Sequence, residues 1–315
     1  MSRIFHNLDE ARGQFGPAAI TIGVFDVVHL GHQRLVRTAI QRASELGIAS
    51  GAVTFHPHPR NVLGTSPPVR LLIPVEERIA ILRDMGIEKI LVLPFDLVLS
   101  RLTPEDFVRW VLRDALDVRF VVVGENFHFG YRQAGTIEVL GALGAKYGIE
   151  TRFLPQVRCR GSIVSSSLIR EYVSSGAVSR AGRMLGRCYG IEGEVVSGQG
   201  IGSKQTVPTL NLAGPADFLL AHGVYITEVQ DLDDGRSWPA VTNVGTRPTF
   251  SGTSVTIESF LLAPLVGGAP KRIRVQFRRW IRGERKFPDA SALRAQILAD
   301  VSRAEAYWRR VRFAI

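Results

Sequence analysis

Short apolar runs alternate with longer amphipathic stretches through the first half of the chain. AITIGVF, residues 19–25, reads as a strand, and a turn leads from it into a helix from about Gly31 to Leu46. In that helix Leu35, Val36, Ala39, Ile40 and Ala43 keep the three- and four-residue spacing of one buried face. GAVTF is the next strand, VEERIAILRDMG a helix and KILVLPF a strand. TPEDFVRWVLRDAL follows as a helix, with Thr103 as cap, Pro104 at the first helical position and acidic residues in the first turn. RFVVVG, TIEVLGALGAKYG and IETRFLP then predict strand, helix and strand. Strands rich in Val, Ile and Leu between amphipathic helices predict a parallel sheet covered on both faces, a Rossmann-like α/β domain.

The rhythm changes near Gly186. YGIEGEVV, GVYITEVQ, PAVTNVG, VTIESFLL and KRIRVQF are short strand-like runs punctuated by Gly, Pro and Asp turns. They predict an antiparallel β-barrel or sandwich. A closing helix is expected from near Asp289, with Leu293, Ile297, Val301 and Trp308 on one face. The expected division is 1–186 and 187–315, with SRAGRMLG as a short helical hinge.

Length and composition fit this plan. The chain has 315 residues, enough for two domains, and 45% hydrophobic residues, enough to bury two cores. No apolar run approaches the ~18 residues of a membrane span, and the N-terminal MSRIFHNLDEARGQ lacks the apolar core of a secretion signal. Two cysteines, Cys159 and Cys188, make neither a disulfide framework nor a zinc site, so reduced thiols and a cytoplasmic location are expected. The net charge of +10 concentrates partly in KRIRVQFRRWIRGERK, where Ile273, Val275 and Phe277 alternate with Arg272, Arg274 and Gln276. That stretch reads either as the solvated face of a half-buried strand or as attraction for a polyanionic ligand. ATP and phosphorylated cofactors satisfy the second reading without nucleic acid.

The densest chemistry is GVFDVVHLGH, Gly23 to His32, at the end of the first strand and the start of a helix. Ligands of open α/β sheets bind beyond the carboxyl ends of strands. His29 and His32 are three residues apart, so both rings are expected to reach one ligand. The helix N-terminus adds unpaired N–H groups, and Gly31 admits a phosphate close to the backbone. Two imidazoles and a helix terminus suit the negative charge that grows on the α-phosphate of ATP under attack. The competing reading is that the histidines only cap the helix.

His-x-Gly-His after a first strand resembles the nucleotidyltransferase superfamily. VSSSLIR, Val164 to Arg170, is similar to that superfamily's second signature; Ser165, Ser166 and Ser167 would offer hydroxyls and N–H groups and Arg170 a fixed cation. FHPHP, residues 55–59, and GENFHFG, residues 124–130, resemble the adenylyltransferase module of prokaryotic bifunctional riboflavin kinase/FMN adenylyltransferases (FAD synthetases). The resemblance implies a nucleotide site that includes Gly23, Phe25 and Asp26. It implies that Asn126, Phe127 and Phe129 help form the flavin and nucleotide pocket; from composition alone these phenylalanines read as core. Val27 stands where the family usually has glycine, which is expected to crowd ATP unless a local shift absorbs it.

The resemblance covers nearly the whole chain. VPTLN, residues 207–211, is similar to the Pro-Thr-Ala-Asn motif of riboflavin kinases, which implies Mg²⁺ and phosphate binding by Thr209 and Asn211. Arg247 lies in NVGTRPTF, another stretch similar to the family, and Glu258 in IESFLL falls where the family places the general base for the ribityl hydroxyl. The phosphate loop keeps Gly198, Gly200 and Gly202, but Ile201 replaces an arginine, Thr206 a glycine and Val207 a phenylalanine. Lys204 restores a positive charge as a point rather than a fork.

The implied activity is phosphorylation of riboflavin to FMN and adenylylation of FMN to FAD. ATP, riboflavin and FMN are the partners, Mg²⁺ the cofactor, and neither nucleic acid nor membrane is expected. The alternative is FMN adenylylation alone beside a degenerate kinase domain. The runner-up enzymes are another His-x-Gly-His adenylyl- or cytidylyltransferase or a class I aminoacyl-tRNA synthetase fragment; the latter should show a lysine-rich loop after the sheet, where the serine-rich segment here ends in Arg170. A nucleic-acid-binding module leaves the paired histidines and Glu258 unexplained. Oligomeric state is open.

Overall fold

The computed structural model describes residues 2–64, 66–196, 209–213, 219–249 and 252–312. It separates into two compact units, Met1–Ser166 and Ser167–Ile315.

The first unit carries a six-stranded parallel sheet. Its strands are β1 (Arg3–Phe5), β2 (Ala18–Ile22), β3 (Ala49–His56), β4 (Lys89–Pro94), β5 (Val118–Gly124) and β6 (Glu150–Leu154), in spatial order β1-β4-β3-β2-β5-β6. Every residue of β2 is buried, as a central strand covered on both faces requires. Phe5, Ile20, Val53, Leu91 and Val121 pack with Phe107 and Leu112 in one apolar cluster. The helix Leu30–Leu46 lays Leu35, Ala39 and Ala43 against Ala19 and Phe120, the face its spacing predicts. Its left-handed C-cap falls on Gly47, φ 65°, a backbone that glycine adopts without steric cost. Thr103 caps Pro104–Asp106 as expected, but the chain then widens into a π-helix over Phe107–Ala115.

A two-stranded hairpin of β7 (Arg158–Cys159) and β8 (Ser162–Ile163) follows. The second unit opens with helices Ser166–Ser174 and Val178–Leu185, the latter packed on the barrel strands β9 (Tyr189–Val196) and β14 (Arg272–Gly283). With β10 (Thr209–Ala213), β11 (Gly223–Asp231), β12 (Ser237–Thr249) and β13 (Gly252–Leu261) these strands close a barrel in the order β10-β13-β12-β11-β14-β9. Ile273, Val275 and Phe277 are buried, as their alternation predicts. So are Leu210, Tyr225, Ile257 and Leu261. The interior also holds a hydroxyl chain: Thr227 to Thr242 at 2.6 Å and Thr242 to Ser259 at 2.9 Å. Each hydroxyl in the chain thereby has a partner, which removes the penalty of burying it.

The closing helix spans Ala290–Arg312. Val301 and Trp308 pack against Val224, Ile226 and Val241 on the barrel's outer wall. Leu293 and Ile297, expected on the same buried face, are each 42% exposed. A straight helix touches a curved wall over limited length, and here the contact begins near the buried Asp300, which pairs with Arg282 at 2.8 Å. Part of the charge on β14 is paired: Arg274 bonds Glu192 at 3.0 Å from the neighbouring strand, and Arg278 bonds Glu228.

Candidate functional sites

The chain runs from β2 to β3 and β4 on one side of the sheet and only later places β5 against the other side of β2. Beyond the carboxyl ends of β2 and β5 the strand order therefore reverses, which opens the crevice where such sheets bind ligands. The loop Gly23–His29 leaves one of these strand ends and the loop beginning at Gly124 leaves the other.

The first loop is tightly wound. Phe25 and Val28 have φ of +50° and +45°, a left-handed region that costs non-glycine residues of order 1 kcal/mol or more each. The turn is closed by Val28 N–H donating to the Phe25 carbonyl at 3.2 Å, and Gln33 Nε2 donates to the Val28 carbonyl at 3.0 Å. Asp26 is buried and accepts from the Leu72 N–H at 3.1 Å. Val27 is fully buried.

His29 caps the helix Leu30–Leu46, its Nδ1 accepting from the His32 N–H at 3.3 Å. Capping and catalysis are therefore not competing readings of this residue. An accepting Nδ1 places the proton of a neutral His29 ring on Nε2. The two imidazoles stack at 3.7 Å with 14° between planes, and His32 meets the edge of Phe25 at 5.1 Å. The Nδ1 of His32 is sealed with no hydrogen-bond partner. Burial first, and then the nearby His29 and Arg78, hold the His32 pKa well below the ordinary histidine value. It is neutral at physiological pH. A Cβ on Gly31 would lie 3.1 Å from the His29 ring, so this glycine makes room for the imidazole.

In the second loop Phe127 and Phe129 stack at 5.6 Å, and Phe129 packs on Phe107 at 5.7 Å. Phe129 is buried, Phe127 half-buried and Asn126 exposed. The aromatic pair thus has a core member beneath a surface member. Ser166 begins the helix Ser166–Ser174, Ser165 precedes it, and Arg170 lies one turn along on the face of Ser166. Ser166 and Arg170 are half-buried and Ser167 is exposed.

In the barrel, Glu258 stands opposite Asn211 of β10 on one side and Asn243 of β12 on the other. Directly opposed residues on antiparallel strands point to the same face. Amide, carboxylate and amide therefore form one row across three strands. The row faces outward, because the flanking Leu210, Leu212, Ile257, Thr242 and Val244 are the buried members of the alternation. Thr209, two residues before Asn211, is exposed on the same side. Its hydroxyl and the Asn211 amide oxygen are hard oxygen donors that fit Mg²⁺. Among the described residues no group of three or more His, Cys, Asp or Glu could hold a metal, so such an ion would take its other ligands from phosphates and water. Gly198, Gly200, Ile201, Gly202, Lys204, Thr206 and Val207 lie outside the described residues. Arg247 is placed by backbone register alone, opposite Ser254.

Two residues escaped the sequence reading. Asn243 faces Glu258 only through strand register, which no local pattern reveals. Arg78 is 1% exposed, and its signal was present: Val75, Arg78, Ile79 and Leu82 share the apolar spacing of one helix face.

The α/β unit with its capped histidine pair, joined in one chain to a barrel with a carboxylate between two amides, defines a nucleotide-dependent transferase of two modules. A family model for FAD synthetase matches residues 12–168, and one for riboflavin kinase matches residues 185–308. The chain is 34% identical over 307 residues to the bifunctional riboflavin kinase/FMN adenylyltransferase of Pseudomonas fluorescens, covering 96% of each chain. The Bacillus subtilis protein of the same description is 32% identical, covering 94% of each. The chain belongs to the bifunctional riboflavin kinase/FMN adenylyltransferase family. A crystal structure described as a macrolide-efflux protein from Streptococcus pneumoniae superposes with a TM-score of 0.85 at 26% identity, covering 96% of this chain and 98% of that one. Among the described residues no helix is long and apolar enough to cross a membrane.

Proposed function

We propose that the chain makes FAD in two ATP-dependent steps, one in each module, with residues 1–186 serving adenylylation and 187–315 the kinase. Both modules of the family are present, which disfavours adenylylation beside a degenerate kinase. In the barrel, Glu258 accepts the proton of riboflavin's terminal ribityl hydroxyl as that oxygen attacks the γ-phosphate of ATP and ADP departs. Asn211 and Asn243 hold the carboxylate from either side. Thr209 and Asn211 would hold Mg²⁺, which would neutralise phosphate charge. The glycine loop with Lys204 and the arginine Arg247 serve phosphate binding.

In the α/β module a phosphate oxygen of FMN attacks the α-phosphate of a second ATP, the α–β bridging bond breaks and pyrophosphate leaves. His29 donates through Nε2 to the α-phosphate oxygens while the helix N–H groups support it. His32 backs His29 as a neutral stacked partner. Gly23, Phe25, Asp26 and Gly31 shape the loop; Ser165, Ser166, Ser167 and Arg170 serve the phosphates. Asn126 and Phe127 meet the flavin, with Phe129 supporting from below. The family's substrates support small phosphorylated ligands as the partners, and the thiols and apolar pattern support a cytoplasmic location.

The single observation that carries this reading is the histidine pair itself: His29 caps the helix Leu30–Leu46 beyond the strand-order reversal and stacks on His32 at 3.7 Å. Incubation with Mg-ATP and either riboflavin or FMN, with chromatographic separation of flavins, tests it. FAD should form from both substrates. His29→Ala should abolish FAD but not FMN formation, and intact FAD formation in that variant would refute the site.

A further inference from the structure

We propose that Arg78 is a positioning residue for adenylyl transfer, a buried guanidinium that clamps the loop presenting His29 and His32. The inference rests on the reading of that histidine pair as the adenylyl-transfer site.

Arg78 lies on the helix Val75–Asp84 with its side chain under the ends of β2 and β3. Its Nη1 donates to the Val24 carbonyl at 2.8 Å, the Thr54 hydroxyl at 3.1 Å and the Phe55 carbonyl at 3.2 Å. Thr54 itself donates to the Val24 carbonyl at 2.9 Å. Val24 immediately precedes Phe25, the first of the two residues forced to positive φ. The bonds thus anchor the peptide from which the strained turn departs, while Asp26, held by the Leu72 N–H, fixes the next residue.

A buried arginine is a poor way merely to fill a core. Burial lowers the Arg78 pKa, opposed by the charges of Asp26 and Glu76. Its Nε has no hydrogen-bond partner, so the side chain is not fully satisfied where it sits. An aliphatic residue would fill the same helix position without those costs. What only the guanidinium supplies is a rigid donor for two strand-end carbonyls and a fixed positive charge behind the histidines. The charged and titratable groups facing His32 are His29 from the helix cap and Arg78 from the neighbouring helix; Phe25 closes the third side. Burial comes first, and the positive charge of Arg78 and the nearness of His29 further disfavour a protonated His32.

The test compares Arg78→Met, which keeps length and loses donors and charge, with Arg78→Lys, which keeps the charge. Each protein is assayed for FAD from FMN across pH and for FMN from riboflavin. A misplacement of the reacting geometry by roughly 1 Å costs about 100-fold. Arg78→Met is therefore expected to lower kcat for adenylylation by about that factor while KM for ATP changes less and kinase activity stays within about twofold. Its acid limb should move to higher pH, since His32 then protonates more readily, and Arg78→Lys should keep the limb near the wild-type position. Adenylylation by Arg78→Met at the wild-type level, an unmoved acid limb, or a parallel fall of both activities would each overturn the proposal. His29→Ala assayed alongside separates the two readings: retained FAD formation there removes the histidine site itself, whatever Arg78 does.

Discussion

Gly31→Ala sets a helix preference against a steric contact, and the structure gives both sides. Gly31 is the second residue of Leu30–Leu46 and has no positive φ. Alanine within a helix is ordinarily favoured over glycine by about 0.5–1 kcal/mol. The added Cβ would lie 3.1 Å from Cε1 and 3.2 Å from Nδ1 of His29, against an ordinary contact range of 3.4–4 Å, and meets nothing else. The imidazole must retreat by a few tenths of an ångström, weakening its 3.3 Å cap to the His32 N–H. Net stability should stay within about 1 kcal/mol of wild type, a shift of ~2–4 °C in melting temperature. Activity should respond more. If roughly 1 Å of misplacement costs about 100-fold, a few tenths cost about four- to tenfold in kcat for FAD formation. The assay is FMN-dependent FAD synthesis beside a thermal melt, with riboflavin phosphorylation in the same preparation as control. Undiminished FAD synthesis would refute the argument that this glycine exists to seat the His29 ring.

Glu258→Gln should lower FMN formation by about 10²- to 10⁴-fold and leave FAD formation from supplied FMN within about twofold, measured by the same chromatography. Gly135→Ala would place a Cβ 2.6 Å from the Phe129 ring; because Phe129 underlies Phe127, KM for FMN in adenylylation should rise more than kcat falls, as steady-state kinetics will report. His32 has a folded pKa below its unfolded value of about 6.5, so the unfolded state binds the extra proton. The stability His32 contributes is therefore present above that value and lost as pH falls towards the folded pKa. Melting of the first unit should show this loss, and His32→Asn should flatten it; an unchanged slope would count against a neutral buried His32.

Periodicity alone carried the architecture, because the solvent-facing and core-facing positions of a helix or strand are written at fixed intervals along the chain. The parallel sheet and the alternation of Ile273, Val275 and Phe277 were legible in this way; the cap at Thr103 and the histidine pair were legible as local motifs, and Glu258 through resemblance to the family. What the chain could not declare depends on contacts between distant segments. The burial of Val27, the clamp of Arg78 on Val24 and Phe55, and the ring contact that explains Gly31 arise only when the loop after β2 closes over its neighbours. The row Asn211–Glu258–Asn243 exists only once three strands take one register, since a slip of one residue would turn each side chain to the opposite face. Leu293 and Ile297 have the spacing of a buried stripe yet stand exposed, because periodicity fixes which face a residue occupies and only packing decides whether that face is covered.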